Sequence, residues 1–133
     1  MPTRDERREA AAKNLALMRG AFASETKATV EAAKIYENGE GRELPVAEGE
    51  GETATSVTTD FAPKAVFSAQ GKVVVVDPCS FTRPGGAYEG GSFGPEQILC
   101  AESNLYPALR SCKVLYHDKN CGYSCGMLFT CIW

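Results

Sequence analysis

"KVVVVDPCSFTRPGGAYEGGSFGPEQILC", Lys72 to Cys100, carries the reading of the fold. "KVVVVD" is a continuous apolar run too short for a helix, and four consecutive valines suit a strand covered on both faces, as in a parallel sheet with helices above and below. The next residues set Gly85, Gly86, Gly90, Gly91 and Gly94 into a loop, and Pro95 then suits the first position of a helix. A strand, a glycine loop and a helix in that order place the loop beyond the carboxyl end of a strand, where open α/β sheets bind ligands.

Upstream, Thr3 and Glu6 form a capping-box pattern, and Ala11, Leu15, Met18 and Phe22 recur at helical spacing, so a helix is expected over 4–22. Such a stripe is packing, and no chemistry is assigned to it. Ser24 can cap a second helix through "ETKATVEAAKIYENG", with Asn38 and Gly39 as its stop. "ENGEGRELPVAEGEGET" reads as a solvated acidic connector around one short strand at "RELPV", and "TATSVTTD" is β-rich. "SVTTDFAPKAVFSAQG" holds a short crossover turn, and "EQILCAESNLY" continues as helix to Tyr106, where Pro107 interrupts it. The expected class is α/β with two or three strands and flanking helices. Its parts are N-terminal helices (1–38), an acidic connector (39–52), the strands, loop and helix (53–112) and a C-terminal segment (113–133). So few strands bury little sheet, and the chain reads as the first half of a domain.

A formal net charge of −3 over 133 residues argues against a dedicated nucleic-acid binder, and no direct DNA binding is expected. No apolar run approaches the roughly 20 residues of a membrane helix, and the first residues lack the apolar core of an export signal. A cytoplasmic protein with free thiols is expected, with no membrane partner. Cys121, Cys125 and Cys131, with only His117 nearby, match no zinc pattern, so neither a metal nor a cofactor is expected.

Gly85 and Gly86 let backbone N–H groups approach a ligand, and a helix head at Pro95 adds donors and a positive dipole end, a combination that favours a phosphate. Glycine-rich turns also serve simply as turns. No Gly-Lys-Ser or Gly-Lys-Thr closes the loop, so it is not a Walker A sequence, nor does a G-x-G-x-x-G fingerprint open directly after the strand. Glu96 sits in the first helical turn, where the dipole alone favours an acid.

The stretch Val73–Leu109 resembles the signature of microbial-type poly(ADP-ribose) glycohydrolases, a branch of the macrodomain fold: a strand, a Pro-Gly-Gly-Gly loop, a spacer, Gln-Glu-Glu, and a helix with Leu-Cys and Ser-x-Leu-Tyr. Pro84, Gly85 and Gly86 match the loop, Gly91 the spacer glycine, and Glu96 the first glutamate. Leu99, Cys100, Ser103, Leu105 and Tyr106 match the helix. The resemblance implies a macrodomain-like mixed sheet, here incomplete, and a ligand loop of Gly85, Gly86, Ala87, Gly91 and Pro95 embracing the diphosphate of ADP-ribose. It further implies that the residues at 96 and 97 face the distal ribose, the second doing the acid–base work of glycosidic cleavage.

Five positions depart from the pattern. Ala87 replaces the third glycine, Pro95 the glutamine and Gln97 the catalytic glutamate, while Asp77 and Ser80 stand where asparagines are usual. Gln97 keeps the shape of glutamate but exchanges no proton near neutral pH, which costs about 10²–10⁴ in rate. Family members also continue past the helix with further strands, so this chain resembles an N-terminal half. Three functions follow as expectations: a hydrolase of ADP-ribose polymers in which Glu96 compensates for Gln97, a non-catalytic module for ADP-ribose or ADP-ribosylated protein, or a truncated remnant without function.

Overall fold

The computed structural model describes residues 1–34, 51–78 and 83–112. These form five α-helices: α1 (Arg4–Arg19), α2 (Ala23–Ala32), α3 (Ala62–Ser68), α4 (Pro95–Ala101) and α5 (Leu105–Ser111). A 3₁₀ turn, Tyr88–Gly90, lies in the glycine loop.

α1 begins as its sequence dictates. The Thr3 hydroxyl accepts from the Glu6 N–H at 3.3 Å, and the Glu6 carboxylate accepts from the Thr3 N–H at 2.6 Å. Ala11 and Leu15 are buried and Met18 is half-buried, but the helix stops at Arg19, and Phe22 lies outside it with 46% of its surface exposed. α2 follows at once; its N-cap is Phe22, and Ser24 donates its hydroxyl to Glu25 instead of capping. The expected stop at Asn38 and Gly39, the "RELPV" strand, Ser80 and the cysteine cluster lie outside the described residues.

The expected α/β sheet is not present: the described residues contain no strand. Lys72–Asp77 is described and is not part of any ladder. Val73, Val75 and Asp77 are half-buried, and Val75 packs on the helical core, whereas Val74 and Val76 are 72% and 67% exposed. Burial alternates along this segment, so the four valines are not covered on both sides. A strand is defined by hydrogen bonds to a neighbour, and the nearest candidate, residues 53–60, is exposed throughout. The expected crossover turn after it is the helix α3.

The single helix expected through Tyr106 is two. α4 ends at Ala101 and α5 begins at Leu105. The break is made by Ser103, whose hydroxyl donates to the Leu99 carbonyl at 2.6 Å and accepts from the Leu105 N–H at 3.2 Å. Pro107 therefore falls in the first turn of α5, where its missing N–H costs no helical hydrogen bond.

The core is built from Ala11 and Leu15 of α1, Tyr88 of the loop, Leu99 and Cys100 of α4, and Leu105, Tyr106 and Leu109 of α5. Asn14 of α1 donates to the Ala101 carbonyl at 3.0 Å, and Asn104 reaches Thr29 of α2 at 2.7 Å. Together α1 and α5 hold α4, and α4 presents its first turn to the glycine loop.

Candidate functional site

The glycine loop owes its shape to close approaches that only glycine permits. Gly85 has φ +74°, and a Cβ there would run into the Tyr106 ring. Gly91, also at φ +74°, turns against the backbone of α1, where a Cβ would strike the Arg4 carbonyl oxygen. Around these points the loop is fastened from two sides. Arg4 Nε donates to the Gly90 carbonyl and Arg7 Nε to the Gly91 carbonyl, each at 2.9 Å, while the Arg7 guanidinium lies 5.6 Å from the centre of the Phe93 ring. On the α5 side the Tyr88 and Tyr106 rings pack with centroids 5.1 Å apart, and the Tyr106 hydroxyl donates to Glu89 at 2.6 Å. Burial first, then that bond to Glu89, pushes the Tyr106 phenol up to about 12.

The head of α4 closes the loop from below. Glu96 is only 4% exposed, and its Oε1 accepts the Gly85 N–H at 2.8 Å. Gln97 Nε2 donates both to the Gly85 carbonyl at 3.0 Å and to Glu96 Oε2 at 3.1 Å. Both neighbours of that nitrogen are acceptors, so the amide orientation follows from the contacts. Gly85, Glu96 and Gln97 thus form one hydrogen-bonded unit, the expected juxtaposition of loop and helix head.

The two glycine amides have protein acceptors. The Gly85 N–H is committed to Glu96, and the Gly86 N–H donates to the Arg83 carbonyl at 2.8 Å. A peptide N–H that already has a protein acceptor is not offered to a phosphate. Ala87 caps the 3₁₀ turn, accepting the Gly90 and Ser92 amides on its carbonyl, and Pro95 opens α4 at its first position. Glu96 is not a surface acid favoured by the dipole alone. It is a buried anchor.

Two features were not read from the sequence. Arg4 and Arg7 have no spacing relation to the loop they hold, so only the folded chain reveals them. Asp77, a departure from the resemblance, has both carboxyl oxygens buried without a hydrogen-bond partner among the described residues, and burial first, then the charge of Glu96, pushes it up to about 7. Beside this cluster a cavity of about 380 Å³ opens between α1 and α4, with Arg7, Ala11, Tyr88, Phe93, Gln97 and Ile98 among its lining. Its walls are mostly apolar, and Gln97 belongs to both the cavity and the loop anchor.

The family model for the catalytic domain of microbial-type PARG matches residues 7–133, which extends the likeness from the loop and α4 to nearly the whole chain. No curated protein and no solved structure matches it. Among the described residues no helix is long and apolar enough to cross a membrane.

Proposed function

Since the chain belongs to the microbial-type poly(ADP-ribose) glycohydrolase family, we propose that it recognises ADP-ribose, free or attached to protein, without cleaving it efficiently. The observation that carries this reading is the hydrogen bonding of Gln97, whose amide nitrogen donates to Glu96 and to Gly85. Cleavage of the glycosidic bond requires a carboxyl group that can give a proton to the leaving oxygen and help water attack. Gln97 cannot exchange a proton, and the engagement of both Glu96 oxygens, with its little exposure, supports reading neither in that role.

Recognition is assigned to the Gly85–Gly91 loop together with the cavity that Gln97 shares, the apolar walls of which suit the flat base of a nucleotide. Because the Gly85 and Gly86 amides already have protein acceptors, they are not counted among the contacts to diphosphate. Calorimetry with ADP-ribose, ADP and AMP tests this: tighter binding of ADP-ribose than of the other two is expected. A labelled ADP-ribose polymer incubated with the protein is expected to stay intact. Equal binding of all three nucleotides, or none, overturns recognition; release of labelled ADP-ribose overturns the non-hydrolytic assignment.

A further inference from the structure

The carboxyl groups of Asp77 and Glu96 act on each other through their charge, and their surroundings differ. Glu96 is buried but receives two donors, the Gly85 N–H and the Gln97 amide, which stabilise it as a carboxylate. Asp77, on the segment that precedes the loop, is half-buried as a residue, yet both of its oxygens are shielded and neither has a hydrogen-bond partner among the described residues. An ionised carboxylate in that position would be a desolvated charge without a donor, next to a second negative charge. A protonated one avoids both penalties.

We propose that below neutral pH Asp77 is a neutral carboxylic acid, so that of the two carboxyl groups Glu96 alone is charged and keeps the Gly85 loop anchored. Asp77 is a positioning residue: its shielded oxygens act through Glu96 and do not touch a ligand. The rise of the Asp77 carboxyl to about 7, caused by burial and then by Glu96, agrees with this division of charge. From α4 the charged group acting on Asp77 is Glu96; Lys72 on its own segment and Arg83 at the start of the loop are exposed, and across the loop Glu89 is tied to Tyr106. Ionisation of Asp77 above neutral pH puts a second negative charge beneath the loop, weakening its hold through Glu96 and, on the ADP-ribose reading, repelling an anionic ligand.

The test follows the Gly85 amide resonance, which reports the bond to Glu96, from pH 5.5 to 8.5 in wild type and in Asp77→Asn, a neutral isostere. The wild-type resonance is expected to shift with a midpoint near 7, and the variant to lack that step while keeping the low-pH wild-type position. Stability supplies a second readout, and its sign follows from the raised value. The contribution of Asp77 is full below about 4, where the unfolded group is also protonated, and is lost as pH rises through 7. Asp77→Asn is expected to remove that decline in urea midpoint.

ADP-ribose affinity, which rests on the proposed function, is expected to fall up to about tenfold per pH unit above 7 in wild type and to stay level in the variant. A wild-type Gly85 resonance without a step near 7, or an identical step in Asp77→Asn, overturns the proposal. Absence of ADP-ribose binding at every pH, with the Gly85 step present in wild type and missing from the variant, removes the nucleotide reading and upholds the neutral Asp77.

Discussion

At position 97 an amide and a carboxylate have opposite consequences, because the site asks its occupant to donate. Gln97 Nε2 faces the Gly85 carbonyl and a Glu96 oxygen, both acceptors. A glutamate there would set a lone pair against each of them, losing two donated hydrogen bonds and adding a like charge beside Glu96. Gln97→Glu is therefore expected to lower stability by about 1–3 kcal/mol, measured by urea unfolding at pH 7. The same crowding raises the new carboxyl group above its ordinary range, and a raised carboxyl group is what a general acid needs. The variant is accordingly expected to release ADP-ribose from labelled polymer about 10²–10⁴ times faster than wild type. Unchanged stability would show that the amide bonds contribute little. An unchanged rate would show that position 97 does not reach the scissile bond. The identity of this residue and its separation from the family pattern were legible in the sequence. Its work as a donor was not, since that depends on which atoms of Gly85 and Glu96 turn toward it.

The elements were legible where a local signal acts alone and obscure where a side chain or a neighbour decides. The capping box of Thr3 and Glu6 starts α1 as expected, and Pro95 opens α4. The division between α4 and α5 is obscure in the sequence because Pro107 is the louder signal, whereas Ser103 makes the turn by donating to Leu99 and accepting from Leu105. Ser103→Ala removes both bonds and is expected to cost about 1–2 kcal/mol, with hydrogen exchange at Leu105 speeding more than that at Leu109. Equal acceleration at both amides would mean that the serine holds the whole of α5 and not its first turn. The valine run fails for a different reason. A strand is a relation between two segments, and composition reports only one of them, so Lys72–Asp77 forms no ladder among the described residues, with Val75 on the core and Val74 and Val76 exposed.

For the molecule as a whole, the N-terminal helix determines whether the glycine loop has a defined shape. α1 reaches the loop by two routes: apolar, through Ala11 and Leu15 in the core shared with Tyr88, and polar, through Arg4 and Arg7 on the carbonyls of Gly90 and Gly91. The apolar stripe was visible as periodicity, but its partner was not, because nothing in the spacing of Ala11 and Leu15 points to residues more than seventy positions away. The two routes are separable by substitution. Leu15→Ala opens the core and is expected to cost about 2–5 kcal/mol, lowering the urea midpoint while leaving the loop geometry of the remaining folded molecules intact. Arg7→Ala removes a charge-assisted bond and the contact with Phe93 at the edge of the cavity, a loss of about 1–2 kcal/mol. Its larger effect is expected on the loop: faster hydrogen exchange at Gly91 and Tyr88, and weaker ADP-ribose binding by calorimetry than Leu15→Ala shows at the same folded fraction. Arg7→Lys is not expected to restore either property, because an ammonium cannot direct one N–H to the Gly91 carbonyl and lay a planar face on Phe93 together. Full rescue by lysine would reduce the role of Arg7 to its charge, leaving Arg4 on the Gly90 carbonyl as the directed guanidinium contact of α1 with the loop.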